Sequence, residues 1–507
     1  MLRFDVYHDG AEARKVCLAG AYAFGQDGIP VRADLVAARG QITCSKRAPG
    51  PVGVALLWEV GNTGRFLLPT TRLPERDEPY NLNLELARAQ LQRIAQKRED
   101  WGLFDYDSAD ALNAQFRDLR GRFVEALKAP DAPAAARLAD EVLRAGITFG
   151  EKMALFHADA WLTRRQSVSP TAGSAFGSRV NLASSCAESG ERLREISDFV
   201  VIPTPWKHIE PQEGQHRFSQ IDAWMNWAGR HHRKIHAGPL LSFDAAELPE
   251  WLYIWEHDHE TLRDLIYERI QQILERYRKR VRVWNVVSGL HAHNSFGLSF
   301  EQVMELTRTC CLQVKQLAPR AEVMIELAMP WGEYYARDAK TIPPLLYADM
   351  AVQSGIKFDA YGVQLCMGVP ADGFYVRDLL QVSCLLDEFM TLGKNVHVTA
   401  AEVPSAPEPD PRDASGGERD PSQAGQWHGT WSPRLQAEWL QGLYRVAISK
   451  PFVQSICWRD VVPAEGHAIP HGGLCEENME TKVAYRELRN FRALLAAQEY
   501  RSSHSEP

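Results

Sequence analysis

The sequence predicts a (β/α)8 TIM barrel that follows a small β-rich, sandwich-like domain and a helical connector. Two observations carry this prediction. Beyond residue 165, short apolar runs typical of strands alternate with amphipathic helical stretches, and eight such runs occur. Before that point, short strand-like runs give way near Leu84 to a period of about 3.6 residues, which is typical of helices. The predicted barrel strands are Ala172–Gly177, Phe199–Pro203, Lys234–Leu241, Val281–Val287, Glu322–Leu327, Ala360–Leu365, Asn395–Ala401 and Gln454–Trp458.

The same patterns predict the domain boundaries. We expect a β-rich domain over residues 1–82, a helical connector over 83–166, the barrel over 167–496 and a disordered tail over 497–507. Turn residues separate the short β-type runs of the first domain. The strands predicted in it are Leu2–Tyr7, Ala13–Ala19, Gly40–Cys44, Val52–Glu59 and Arg65–Pro69.

One long segment, 404–432, interrupts the alternation after the seventh predicted strand. It contains five prolines, many acidic residues and a Gly-Gly pair, so we expect a mobile loop that is too polar to pack. A loop at this position lies on the face where barrel enzymes carry their sites. Trp427 and Trp431, near its end, are expected either to cap the cleft or to pin the loop to the barrel.

Composition excludes several classes of protein. Of the 507 residues, 45% are hydrophobic and 24% charged, as in an ordinary globular protein, and the formal net charge of −8 gives no general attraction to nucleic acid or anionic membrane. Charges interrupt the first residues, and no run reaches the ~20 apolar residues of a membrane span. The nine cysteines are scattered and expected to be reduced. We therefore expect a cytoplasmic protein without cofactor or metal.

Three motifs resemble one known family. Trp206-Lys-His-Ile-Glu-Pro211 follows the second predicted strand, Trp284-Asn-Val-Val287 lies on the fourth and Tyr361-Gly-Val-Gln364 on the sixth. In kind and order they resemble the motifs of family 10 glycoside hydrolases, the endo-1,4-β-xylanase family, and the resemblance extends over about residues 168–495. It implies a barrel with a sugar-binding cleft at the strand ends. By architectural analogy with such barrels, it also implies that the β-rich domain over residues 1–82 resembles a carbohydrate-binding module.

The resemblance also indicates what is missing from that cleft. Retaining hydrolysis needs two carboxyl groups about 5–5.5 Å apart, one as acid/base and one as nucleophile. A gap-free match places Gly289 at the family's acid/base glutamate and Ala400 at its nucleophilic glutamate. Neither residue can perform that chemistry, so the resemblance implies a pseudoenzyme, with hydrolysis lost or strongly altered.

Other residues are candidates for the remaining roles. Glu402 has the same strand orientation as Ala400, and Glu326 ends the fifth predicted strand, so these two carboxyls are the candidate substitutes for the catalytic pair. A hydrogen-bonded loop anchor is the alternative role for Glu402. The resemblance implies sugar contacts for three residues, and the strand-end segment Leu290-His-Ala-His-Asn294 adds two, although loop packing also accounts for the latter. The five candidate binding residues are Trp206, Gln364, Trp458, His291 and Asn294.

Three functions agree with these observations. The first is a noncatalytic barrel that binds a β-linked oligosaccharide or polysaccharide at the strand ends. The second is an active retaining β-glycosidase or xylanase with relocated carboxylates. The third is an intracellular interaction or scaffold protein, for which no particular protein partner is predicted. A pair of carboxyls facing each other across a cleft would favour the second.

Overall fold

The computed structural model describes residues 1–47, 49–168 and 175–497. Its amino-terminal part contains two main sheets, with strand orders β10-β1-β7-β6 and β9-β8-β4-β5, and a small β2-β3 hairpin. Apolar side chains from both sheets, among them Phe4, Leu56 and Phe66, are buried together. The strands are β1 (Leu2–Asp5), β2 (Tyr7–His8), β3 (Ala11–Glu12), β4 (Tyr22–Phe24), β5 (Pro30–Val31), β6 (Ala33–Ala38), β7 (Gln41–Lys46), β8 (Gly53–Glu59), β9 (Gly64–Pro69) and β10 (Tyr80–Asn81).

One predicted strand of this part is wrong, and five strands were missed: β3, β4, β5, β6 and β10. Ala13–Ala19 forms no strand, because the chain leaves the hairpin at Ala13 and exposes Arg14 and Lys15 without a neighbouring strand. β6, which no prediction included, pairs antiparallel with β7 over its whole length. Its alternate residues are only partly covered, and Val36 is exposed, so its apolar pattern is weak.

Three helices follow the β-rich part: α1 (Leu82–Asp100), α2 (Asp110–Leu127) and α3 (Ala132–Val168). The side chain of Asn81 accepts a hydrogen bond from the backbone N–H of Leu84 and so caps the start of α1. α3 packs against both other helices and also against the barrel. It therefore joins the two parts of the molecule.

The barrel prediction is confirmed. Eight parallel strands follow one another around a ring, and the β13–β15 pairing closes it. The barrel strands are β11 (Phe176–Arg179), β12 (Phe199–Ile202), β13 (Lys234–Ala237), β15 (Val283–Ser288), β16 (Glu322–Leu327), β17 (Ala360–Cys366), β18 (Asn395–Glu402) and β20 (Val453–Trp458), with the short β14 (Leu241–Ser242) beside β15. Residues 172–174 of the predicted segment Ala172–Gly177 lie outside the described residues, as does the predicted tail beyond Ala497.

Helices surround the barrel, as the alternating pattern requires. α8 begins with a capping box between Ser299 and Gln302, and α10 begins with the same arrangement between Asp378 and Gln381. These helices are α4 (Cys186–Ile196), α5 (Trp206–Ile209), α6 (Ser219–Arg230), α7 (His259–Tyr277), α8 (Phe300–Leu317), α9 (Pro344–Gln353), α10 (Leu379–Met390), α11 (Pro433–Ser449) and α12 (Val483–Ala496). Throughout the described ranges, no helix is both long and apolar enough to cross a membrane.

The 404–432 segment packs against the rest of the molecule, so the expectation that it is too polar to pack is wrong. Its buried Asp410 accepts hydrogen bonds from the His467 side chain at 2.8 Å and from the backbone N–H of His471 at 2.9 Å. Near its end, β19 (Gln426–Trp427) pairs antiparallel with β9 of the amino-terminal part. Hydrogen bonds to buried carboxylates and to the edge of a neighbouring sheet thus allow this polar segment to pack.

Trp427 and Trp431 are both buried at this place. The indole N–H of Trp427 donates to Glu151 of α3 at 2.8 Å. The structure therefore agrees with the second role expected for Trp427, which is to hold the loop in place. The loop is held against the helical connector and the β-rich part as well as the barrel.

Candidate functional site

A partly enclosed cavity of about 340 Å³ lies at the carboxyl ends of the barrel strands. Side chains from the strands form its interior, and Ala414 and Arg419 of the 404–432 segment form part of its wall. The lining is unusually polar for a barrel core, which ordinarily holds branched apolar residues. Its charged and polar members include Arg179, His236, Ser242, Asp244, Glu247, Asn285, Ser288, His293, Glu326, Gln364, His397, Thr399, Arg419, Ser455 and Arg459.

Gly289 lies directly after β15, with a φ of +63°. A Cβ atom at this position would lie 2.8 Å from Cδ2 of His293 and 3.0 Å from Cβ of Ala328. Both the backbone conformation and these neighbours disfavour any side chain there. The position that the resemblance assigns to an acid/base glutamate is therefore shaped for glycine.

Ala400 lies on β18, where it pairs with Gln364 of β17 next to a register shift. Its methyl group lines the cavity and is 6% exposed. A nucleophile at this strand end would face the cavity, but alanine supplies none. Gln364 also lines the cavity, so this predicted binding residue is placed to contact a ligand.

Glu326 also lines the cavity and is 5% exposed. Its register partner on β15 is Ser288, whose hydroxyl donates a hydrogen bond to it. One carboxyl of the predicted substitute pair is therefore held beside the family's acid/base position.

Two further carboxyls at the cavity, those of Asp244 and Glu247, were missed by the sequence reasoning. Both follow β14. Burial raises the pKa of Glu247; nearby Arg179 opposes the increase, while Asp244 and Glu326 add to it. The one available signal was that two acidic residues follow a strand end in Phe243-Asp-Ala-Ala-Glu247.

Glu402, the other predicted substitute, does not line this cavity. Its side chain is fully buried against Gly472, where a Cβ atom would lie 2.5 Å from Oε1 of Glu402. In the part of the chain that the structure describes, neither carboxyl oxygen has a hydrogen-bond partner. Glu402 is thus neither in reach of a ligand in the cavity nor the hydrogen-bonded loop anchor that was its alternative role.

Burial raises the pKa of Glu402 well above its usual range. Asp460 raises it further, whereas Arg459, Arg179 and Lys482 act in the opposite direction. The folded protein therefore keeps this carboxyl protonated at pH values where the unfolded chain has already lost the proton.

We expect Glu402→Gln to flatten the pH dependence of stability. With a folded pKa above the unfolded value of about 4.3, the wild type loses stability as the pH rises, by at most about 1.4 kcal/mol per pH unit. The variant removes this titration. The difference between its free energy of unfolding and that of the wild type should therefore increase in favour of the variant from pH 5 to pH 8. Urea unfolding across this range measures the effect, with the exposed Glu408→Gln as control. Parallel curves for Glu402→Gln and the wild type would contradict the assignment.

The two tryptophans that the resemblance placed in the cleft lie elsewhere. Trp206 is 3% exposed and donates to Glu210 at 3.0 Å, and Trp458 is 0% exposed and donates to the carbonyl of Gly472 at 3.2 Å. Neither indole lines the cavity. Both indoles instead pack within the barrel, where the apolar ring is buried and the N–H donates one hydrogen bond.

His291 and Asn294 also lie outside the cavity. His291 is fully buried, its Nδ1 is 2.6 Å from the Tyr334 hydroxyl, and burial lowers its pKa to about 3. Asn294 bridges the carbonyls of Leu298 and Lys340. Both residues brace the loop after β15, whereas the intervening His293 does line the cavity.

Comparison with known proteins shows a similarity to one family over part of the barrel. Residues 203–426 match the sequence model of glycosyl hydrolase family 10. Endo-1,4-beta-xylanase B of Humicola insolens is 30% identical over 83 residues, which is 16% of this chain and 23% of that protein. Endo-1,4-beta-xylanase 1 of Gibberella zeae is 22% identical over 208 residues, covering 39% of this chain and 56% of that one. The matches thus span about half the length of these relatives or less.

Among solved structures, xylanase 10B of Thermotoga petrophila in complex with xylobiose is similar with a TM-score of 0.47. Its sequence is 16% identical, and the match covers 66% of this chain and 96% of that one.

Proposed function

We propose that this chain, whose barrel resembles those of glycosyl hydrolase family 10, binds a short β-linked saccharide in its strand-end cavity without cleaving it. The observation that carries the proposal is the conformation of Gly289. A position with a φ of +63° and two atoms within 3.0 Å of an added Cβ leaves no room for the acid/base side chain. The resemblance assigns Ala400 to the nucleophile position, so the proposal gives this cavity neither carboxyl of the family's pair.

The lining of the cavity supports saccharide binding. Gln364, Asn285 and Glu326 offer amide and carboxylate groups that can bind sugar hydroxyls. The volume of about 340 Å³ lies near the lower end of the ~300–1,000 Å³ range of ligand pockets, which favours a mono- or disaccharide over a long chain. Ala414 and Arg419 of the 404–432 segment enclose part of the cavity, which also favours a short ligand over a long chain.

A direct test combines binding with turnover. Calorimetry of the full chain with xylobiose and cellobiose should detect binding, while hydrolysis of 4-nitrophenyl β-xyloside should stay at the level of a Glu326→Gln/Glu247→Gln variant. Binding without turnover above that level supports the proposal. Absence of binding to either disaccharide would contradict it and turn attention to protein partners.

A second candidate is a glycosidase with a new pair of carboxyls, Glu247 and Glu326. The observation in its favour is the raised pKa of Glu247 next to a second carboxyl, because glycosidases keep one acid protonated beside one ionised group. In that case the wild type would hydrolyse the aryl xyloside, and Glu326→Gln alone would lower the rate by at least ~100-fold.

We expect that returning both family glutamates does not create a xylanase. In Gly289→Glu/Ala400→Glu, the new side chain at 289 meets His293 and Ala328, so the two carboxyls should not reach the ~5–5.5 Å separation of retaining enzymes. Aryl xyloside hydrolysis should stay within about tenfold of the wild-type rate. Ala400→Glu alone serves as control, and a rate ~1,000-fold above the wild type for the double variant would contradict the reasoning from Gly289.

A further inference from the structure

Three guanidinium groups line the cavity, and the proposed function leaves them without a role. Arg179 ends β11, Arg459 follows β20 and Arg419 belongs to the 404–432 segment. Among the described residues, no carboxylate oxygen lies within 4.0 Å of the Arg179 or Arg419 guanidinium. Arg459 has one such neighbour, Asp460, at 3.7 Å, and its buried Nε makes no hydrogen bond. Arg179 and Arg419 thus have no carboxylate partner among the described residues, whereas the Arg459 guanidinium also lies beside the Cys366 thiol.

Arg179 and Arg459 lie side by side. β11 and β20 are neighbouring parallel strands in which Ser178 pairs with Trp458, so the next residues along the two chains are Arg179 and Arg459. Neighbouring strands are about 4.8 Å apart, and like charges at that spacing repel each other. An oxyanion shared between the two guanidinium groups would offset that repulsion.

The acidic residues that face this pair compensate it incompletely. Glu247 and Glu402 are both close enough to feel Arg179 and Arg459, but burial raises the pKa of each, which favours their neutral forms. Burial opposes the charge of Arg459, but Cys366 and Asp460 raise its pKa. Hydrogen bonds from its own loop lower the pKa of Asp413, near Arg419, despite burial. Arg179 is therefore the guanidinium whose charge the neighbouring acidic groups balance least.

The opposite side of the cavity is acidic. In the ring of eight strands, β16 is four positions from β11, so Glu326 lies across the barrel from Arg179. Carboxylates accept hydrogen bonds from hydroxyls, and guanidinium forks bind planar or tetrahedral oxyanions with two parallel bonds. A ligand that fits both sides carries hydroxyl groups at one end and an anionic group at the other.

We propose that the ligand is an acidic saccharide whose oxyanion group, a carboxylate or a phosphate, binds between Arg179 and Arg459, with Arg419 contributing from the loop. This inference rests on the proposed function, because it names the class of saccharide that the same cavity takes. Arginine suits the task better than lysine because its donors have a fixed geometry and its charge is kept at all physiological pH values.

The test uses three matched ligands, glucose, glucuronate and glucose 6-phosphate, with inorganic phosphate as the bare anion, all titrated calorimetrically into the full chain. We expect at least one of the two acidic sugars to bind ten or more times more tightly than glucose. Arg179→Gln and Arg459→Gln should each remove most of that advantage and leave glucose affinity within about twofold. The better of the two acidic sugars identifies the anionic group.

The loop offers a matched pair of variants. Arg419→Gln should weaken binding of the acidic sugar several-fold, whereas Arg412→Gln, in the same segment, should not, because Arg412 pairs with Glu465 and Glu477 and does not line the cavity. Equal losses in the two variants would overturn the part assigned to Arg419.

The outcomes separate the two proposals. Equal affinity for glucose and both acidic sugars would overturn the anionic ligand and leave saccharide binding intact. Inorganic phosphate bound as tightly as the sugar phosphate would support the arginine site but contradict saccharide recognition. Failure of all four probes, together with failure of the neutral disaccharides, would overturn both.

Discussion

Replacing Arg377 with methionine is expected to lower the free energy of unfolding by about 3–5 kcal/mol. Arg377 is 2% exposed and forms an ion pair with Glu333, which is 0% exposed. Its guanidinium also lies 4.0 Å from the ring centre of Trp331. Methionine fills similar volume but leaves the Glu333 carboxylate buried without its cation, and that uncompensated charge is the source of the loss. Urea unfolding monitored by tryptophan fluorescence measures it.

Two controls separate the charge effect from packing. Arg377→Met/Glu333→Gln removes both charges and should recover a large part of the loss, because no ion then remains buried alone. Arg337→Met removes an exposed arginine that pairs with Asp372 and should cost less than about 1 kcal/mol. If the double variant is as unstable as Arg377→Met alone, packing of the arginine stem rather than its charge is responsible.

Gly64→Ala is expected to detach β19 from β9. Gly64 has a φ of +120° and a ψ of −163°, a region that is essentially restricted to glycine and costs other residues about 1–3 kcal/mol. An added Cβ would also lie 2.2 Å from the carbonyl oxygen of Gln426, so the two strands must separate. We expect a loss of roughly 2–3 kcal/mol in unfolding free energy and faster tryptic cleavage within 404–432.

Gly214→Ala is the matched control for that variant. Gly214 also has a positive φ, +76°, but nothing lies within 4 Å of an added Cβ. It should show the conformational cost without faster cleavage of the 404–432 segment. Equal cleavage rates in wild type and Gly64→Ala would contradict the close approach of the two strands.

The sequence was sufficient to predict the barrel, because each strand is a short apolar run between amphipathic helices and that pattern depends only on local burial. The amino-terminal part was harder, since a half-exposed strand such as β6 has little apolar contrast. At the candidate site, the replacement of both glutamates by Gly289 and Ala400 is a prediction that rests on motif position alone. Which side chains meet in the cavity did not, because Arg419 and Glu247 reach it through loops whose path no periodicity encodes.

The orientation of the two motif tryptophans could not be predicted from the sequence. A motif match identifies Trp206 and Trp458 but says nothing of which face of the backbone carries them, and both rings point into the core. The same holds for Glu402. Its two-residue offset from Ala400 predicted that both side chains lie on the same side of β18. Ala400 and Glu402 keep a regular register with β17, but Gly472 covers the Glu402 side chain, and strand alternation does not encode that contact.

The β9–β19 pairing has a consequence for synthesis of the chain on the ribosome. β9 ends at Pro69 and its partner begins at Gln426, so 357 residues (426 minus 69) must be added before the sheet gains its last strand. At roughly 5–20 residues per second, this edge of β9 stays open for about 20–70 s. An open edge of that kind is a site for unwanted pairing with other chains. We therefore expect nascent chains that stop before residue 426 to depend more on chaperones than the finished protein does.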